Sequence, residues 1–337
     1  MKILSIDGGG VRGIIPARIL QEIEDRTGRH SAELFDAISG TSTGGMITLA
    51  LAKADKEGDP ALSAKDVLDI YLHRSKEIFA GQTVCWKMQT GCGLWGSKYN
   101  RSNFDKMLEE VFGKALLSQT VCPVFVPIYS LENYKPFISG TFFAKSNKVN
   151  DFYLKDIAGA TSAALTLFPP KVFKSPNDSV TYKGVDGGIY ANNPSLIGIS
   201  GAYLMQPSLA LDSIELVSLG TGELKRGTEK EENGAKKSID IEDIVEDVMD
   251  NDGVIGWLQG RDIIGSMMDA DSVIAEAAMK AMLKQGNHFR FQVDLPDSLK
   301  NMDDCSDQTI SGLLTLAENF IAENTHAIDE LCTKLLG

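Results

Sequence analysis

Residues 34–52 read Leu34-Phe35-Asp36-Ala37-Ile38-Ser39-Gly40-Thr41-Ser42-Thr43-Gly44-Gly45-Met46-Ile47-Thr48-Leu49-Ala50-Leu51-Ala52. A short apolar run, a glycine-flanked serine and a second apolar run follow one another directly. That order predicts a strand over Leu34–Ser39, a tight turn with Ser42 at its apex and a helix over Met46–Ala54. Gly40 and Gly44 let the chain turn sharply, so the hydroxyl projects at the strand's end while the helix aims its N–H groups at the same spot. A serine held this way becomes a nucleophile. The pentapeptide alone is weak, since a chain of this length shows some Gly-x-Ser-x-Gly by chance about one time in ten. The strand-to-helix setting favours the nucleophile over a plain helix-capping serine.

Outward from this turn, the first half alternates strand and helix. Lys2–Ile6 reads as a strand, Ile14–Arg26 as a helix and Ala64–Phe79 as an amphipathic helix, an order that predicts an α/β fold with a parallel sheet. Val121–Leu131 and Phe137–Ala144 read as further strands, Tyr153–Leu165 as a helix, and Val180–Val185 and Ile214–Leu219 as strands flanking a helix at Ser195–Met205. Open α/β sheets place their chemistry at the carboxyl ends of strands.

The 337 residues are 43% hydrophobic and 23% charged, an ordinary balance for a globular chain. A net charge of −13, with no basic cluster beyond Lys236-Lys237, argues against nucleic acid as a partner and gives no pull toward anionic membranes. Met1-Lys2-Ile3-Leu4-Ser5-Ile6 runs straight into a glycine loop, leaving no room for a signal peptide, and no window is apolar for long enough to span a bilayer. The five cysteines, Cys85, Cys92, Cys122, Cys305 and Cys332, lack Cys-x-x-Cys spacing. They suit a reducing compartment and no structural zinc, so a cytoplasmic location is expected.

A second loop, Asp7-Gly8-Gly9-Gly10-Val11-Arg12-Gly13, lies between the first strand and the first helix. As Gly-x-Gly-x-x-Gly it could cradle a dinucleotide, but that needs an acidic residue ending the second strand, and Asp36 falls inside that strand instead. As an oxyanion hole, its backbone N–H groups would converge on an oxygen that becomes negative during acyl transfer. A serine nucleophile also needs a base. His30, His73, His288 and His326 all sit in unpromising places, whereas Asp186, in Gly184-Val185-Asp186-Gly187-Gly188, ends a strand and is followed by glycines. The alternative is that Asp186 only caps its turn. Gln82–Asn100 is a long loop whose Trp86, Leu94 and Trp95 form a candidate lipid-facing edge, the alternative being aromatics folded back on the core. Lys225–Ser238 reads as an exposed charged loop, followed by a mostly helical region from Ile239 to about Leu283.

These three loops, in this order, resemble those of the patatin-like phospholipases. The similarity extends through Thr161-Ser162-Ala163-Ala164, Phe168-Pro169-Pro170, Asn192-Asn193-Pro194 and Ser218-Leu219-Gly220-Thr221-Gly222. Asp-Gly-Gly stands at 186–188 where plant members often have Asp-Gly-Ala. The resemblance implies a three-layer α/β/α fold with a mostly parallel central sheet, and lipid acyl hydrolysis by a Ser–Asp dyad without a metal or other cofactor. Carried over by position, Ser42 is the nucleophile, Asp186 the base, and Gly8, Gly9 and Gly10 the oxyanion donors, supported by Arg12, Gly13, Gly40, Gly44 and Gly187. It further implies a lipid substrate met peripherally at a membrane or micelle surface, with no oligomeric state indicated. One catalytic domain over 1–337 is expected, with a core at 1–224, a charged and helical region at 225–285, and a closing strand and helix at 286–337. An acyltransferase, or a phospholipase effector switched on by a ligand, would share every residue named.

Overall fold

The computed structural model describes residues 1–79, 96–176, 180–224, 229–232, 235–238 and 263–337. In chain order the first elements are β1 (Lys2–Ile6), α1 (Ile14–Thr27), α2 (Ser31–Leu34), β2 (Ala37–Gly40), α3 (Thr43–Leu51), α4 (Ala64–Ile78) and α5 (Ser102–Phe112). Next come β3 (Val124–Ser130), β4 (Lys135–Gly140), α6 (Thr141–Ser146), α7 (Leu154–Thr161), β5 (Lys171–Lys174), β6 (Thr181–Asp186), α8 (Gly188–Ala191), α9 (Ser195–Met205) and β7 (Glu215–Leu219). The remainder are β8 (Glu223–Leu224), β9 (Glu229–Glu232), β10 (Ala235–Ser238), α10 (Ile263–Met282), β11 (His288–Phe291), β12 (Asp294–Leu295), α11 (Asp307–Glu323) and α12 (Thr325–Leu336).

Successive side chains of a strand point to opposite faces, and β1 uses both. Leu4 and Ile6 enter a large core with residues of α1, α3, α4, α5, α7, α11 and α12. Ile3 enters a smaller core with Ile199 and Ala202 of α9, Leu216 of β7 and Met279 of α10. The result is three layers, helices on both faces of one eight-stranded sheet. β11, β7, β1, β2 and β3 run parallel in that order.

Antiparallel pairing begins at β3. β4 covers one of its edges from Phe125 to Ser130. The other edge is shared: β2 pairs with Val124 and Phe125, and β6, running the opposite way, pairs with Ile128 to Ser130. The carboxyl ends of β2 and β6 therefore face each other across Val126 and Pro127. The sheet is mostly parallel, as expected, and Asp186 ends one of its antiparallel strands, which meets β2 end to end.

Local differences have local causes. The strand expected from Leu34 starts at Ala37, because Ser31–Leu34 forms a helical turn held by Glu24, whose carboxylate accepts both the Ser31 N–H and its hydroxyl at 2.7 Å. Asp36 thus precedes β2, where it accepts the Lys2 N–H at 2.7 Å. The stretch Phe137–Ala144 divides at Gly140 into a strand and a helix. β9 and β10 pair antiparallel in a stretch where a loop was expected. Trp86, Leu94 and Trp95 lie outside the described residues.

Candidate active site

Ser42 joins β2 to α3 with φ 55° and ψ −122°. A positive φ is unfavourable for a residue with a side chain, costing about 1–3 kcal/mol, and is kept only where its surroundings impose it. The turn packs so tightly that a Cβ on Gly44 would lie 2.1 Å from the Ile6 carbonyl oxygen. Gly40, before the turn, packs equally closely on Gly44 and Thr48. The Ser42 N–H donates to Thr161 Oγ1 at 3.0 Å, and that hydroxyl donates to the Pro127 carbonyl at 2.8 Å. The Thr41 hydroxyl donates to the Ala191 carbonyl at 2.5 Å. These bonds tie the turn to α7, β3 and α8.

The Ser42 Oγ donates to Asp186 Oδ2 at 2.5 Å, while Asp186 Oδ1 accepts the Gly188 N–H at 2.8 Å. Gly187 lies between them against the Pro127 carbonyl, in the gap where β2 and β6 face each other. Ser42 is 6% exposed and Asp186 5%. Burial pushes the Asp186 carboxyl up to about 7, against the partial opposition of the Ser42 hydroxyl and Gly188 amide. A carboxylate so raised accepts a proton near neutral pH, which one in water does not.

The glycine loop lies beside this pair. Gly8 was expected to be an oxyanion donor, but its N–H is bonded to the Asn192 carbonyl at 3.1 Å. Its own carbonyl accepts the Thr221 hydroxyl at 2.6 Å. The Gly9 carbonyl accepts from the Arg12 N–H at 3.2 Å and from Arg12 Nε at 3.3 Å, and the Val11 N–H donates to the Met302 carbonyl at 2.8 Å. Among the described residues the Gly9 and Gly10 N–H groups have no protein partner. Both glycines line the cavity that contains Ser42 and Asp186. Gly10 takes φ 61°, and a Cβ there would lie 2.2 Å from the Met302 carbonyl oxygen, so only glycine fits. Arg12 is buried along this wall, and Gly13 packs on Thr43 and Tyr71.

The cavity measures about 480 Å³ and is mostly apolar. On one side α4 presents Tyr71, Ser75 and Ile78, positions that share a helix face, followed by Phe79. The Tyr71 hydroxyl shares a short hydrogen bond with Thr43 Oγ1, next to Ser42. From Tyr71 to Phe79 the helix advances about 12 Å. At the far end the Phe168 ring packs on Phe79 and Phe104 with centroids 5.7 and 5.3 Å apart. The opposite wall comes from Ile189, Leu224 and the α10 residues Gly265, Ser266, Met268 and Asp269. None of the four histidines lines this cavity.

The sequence profile of the patatin-like phospholipases matches residues 4–198. The chain belongs to that family. Lipid acyl hydrolysis is its activity at family level. Patatin-like protein 2 of Arabidopsis thaliana is 30% identical, the match covering 87% of this chain and 75% of that protein. Patatin-like protein 4 of the same plant is 34% identical over 66% of this chain, which spans only 60% of that relative's length. A third relative, 30% identical over 98% of this chain and 90% of its own, is named probable inactive patatin-3-Kuras 1, from Solanum tuberosum. Membership therefore does not guarantee turnover.

Proposed function

We propose that this chain hydrolyses fatty-acyl esters of phospholipids or related glycerolipids, with Ser42 as nucleophile and Asp186 as its base. The observation that carries this is the 2.5 Å hydrogen bond from Ser42 Oγ to a carboxylate raised to about 7 by burial. Asp186 takes the hydroxyl proton as Oγ bonds to the ester carbonyl carbon, and the carbonyl oxygen becomes an oxyanion. The Gly9 and Gly10 amides and the amino end of α3 face that oxygen, while Gly8 shapes the loop through Asn192 and Thr221. The leaving alcohol takes the proton from Asp186, and water, deprotonated by the same carboxylate, releases the fatty acid. The acyl chain lies along α4 toward Phe79, Phe104 and Phe168.

The substrate is met at a lipid surface. Contact is peripheral on this reading, made by a cytoplasmic enzyme; no helix among the described residues is long and apolar enough to cross a membrane. In α10 the outward face carries Met267, Ala270, Val273, Ile274, Ala277 and Ala281, while Asp271 and Ser272 turn inward to Asn193 and Asn192. Leu165, exposed at the cavity, continues this apolar edge. We read 1–337 as one catalytic domain, supported by the pairing of β11 with β7 in the main sheet.

The test is hydrolysis of a mixed phospholipid extract followed by mass spectrometry, with Ser42→Ala and Asp186→Asn beside the parent. Fatty acid and lysolipid from the parent alone is the expected result. Equal release by the Ser42→Ala protein would overturn the dyad.

A further inference from the structure

The glycine loop opens on Asp7, and Asp7 is bound by a residue from the far end of the chain. Arg290 of β11 donates from Nη2 to Asp7 Oδ2 at 2.7 Å and from Nη1 to Ser218 Oγ at 2.9 Å. The Asp7 and Arg290 side chains are 2% and 7% exposed, and Asp7 Oδ1 has no hydrogen-bond partner among the described residues. Further acids surround the pair: Glu276 Oε2 lies 3.8 Å from Arg290 Nε, and Asp271 and Glu223 add negative charge nearby. Without its cation, a buried Asp7 carboxylate would set a negative charge beside the loop that must hold an oxyanion. In a dry interior such a charge acts with little screening.

We propose that Arg290 is a positioning residue for the glycine loop: it holds Asp7 in place and cancels its charge, so that the Gly9 and Gly10 amides act on the oxyanion unopposed. This rests on the Ser42–Asp186 mechanism above. A purely structural tie loses equally when cut from either end. Burial already pushes the Asp7 carboxyl above its ordinary value, so charge cancellation is asymmetric only on the alkaline side. There removing the cation leaves a lone anion near the oxyanion, whereas neutralising Asp7 does not; at lower pH the unpaired Asp7 takes up a proton and the loss shrinks.

The experiment measures kcat and KM for p-nitrophenyl butyrate, a soluble ester, with thermal unfolding followed for each protein. The set is the parent, Ser42→Ala, Asp7→Asn, Arg290→Met, Arg290→Lys and the Asp7→Asn/Arg290→Met double variant. Arg290→Met should lower kcat about 100-fold, the scale of losing an oxyanion donor, with KM within about twofold. Arg290→Lys should recover about tenfold of that loss, and so should the double variant, while Asp7→Asn alone costs no more than about fivefold. Equal losses from Asp7→Asn and Arg290→Met, a double variant no better than Arg290→Met, or full kcat in Arg290→Met would each overturn the inference. If Arg290→Met does not fold, Asp7→Asn and Arg290→Lys decide: an Asp7→Asn loss as large as that expected of Arg290→Met overturns it. A parent no faster than Ser42→Ala defeats the mechanism itself, and the inference with it.

Discussion

Ser42 Oγ and Asp186 Oδ2 lie 2.5 Å apart, although 144 positions separate the residues, because the strands that carry them end face to face on one edge of β3. Their spacing is thus set by backbone pairing on a third strand. Thr161 reinforces it by bonding both the Ser42 amide and the Pro127 carbonyl in the gap.

As the proposed base, Asp186 must be ionised to take the serine proton. With Asp186 raised to about 7, kcat/KM should rise about tenfold per pH unit up to that point and then level. Replacing His30, His73, His288 and His326 together should leave this acidic limb in place. A pH profile that loses the limb in the histidine-free protein would reassign the base.

The same shift has a cost in stability. The folded carboxyl keeps its proton to about 7 while the unfolded one releases it near 3.8, so stability falls as pH rises through that interval. The full shift corresponds to about 4 kcal/mol. Asp186→Asn, inactive, should therefore be more stable than the parent at pH 8 by a few kcal/mol and nearly equal to it close to pH 4. Urea unfolding at both values measures this; a variant destabilised equally at both contradicts it.

Much of this site is legible in the sequence, because glycine clusters at strand ends are local signals. Gly8–Gly10, Gly40–Gly44 and Asp186–Gly188 all come to one cavity or its wall. Strand direction is not local: nothing in Thr181–Asp186 says that it pairs antiparallel with β3. Nor can sequence say which loop amides are already used, since the Gly8 amide is taken by the carbonyl of Asn192. Thr161, Asn192 and Thr221 stood within motifs that carried the family resemblance, without a role attached. Arg290, 283 positions from Asp7, left one trace, a cation between two phenylalanines in a short strand.

The slot along α4 has a finite length. Ile78→Trp should fill it beyond Ser75, cutting hydrolysis of a palmitoyl ester about tenfold or more while butyryl ester hydrolysis stays within about twofold, since overpacking acts only where the chain reaches. Equal losses on both esters would place the acyl chain elsewhere.

The outward face of α10 offers a test of surface contact. Met267→Asp with Ile274→Asp changes two side chains that are 50% and 68% exposed, so the fold should tolerate it. Burying each in lipid is worth about 1.5–3 kcal/mol at most, so activity on phosphatidylcholine vesicles should drop about tenfold or more, with butyryl ester hydrolysis unchanged. An undiminished rate on vesicles would remove α10 from the contact.

The position of β11 has a consequence in time. By residue 186 a growing chain already contains both members of the proposed dyad, but contacts that shape the glycine loop come from Thr221, Arg290 and Met302. β11 is the last strand of the main sheet to be made, and it docks beside β7, whose partner β1 was made first. On the proposed mechanism, the glycine loop therefore takes its working shape only after residues 290–302 are made, well after Ser42 and Asp186.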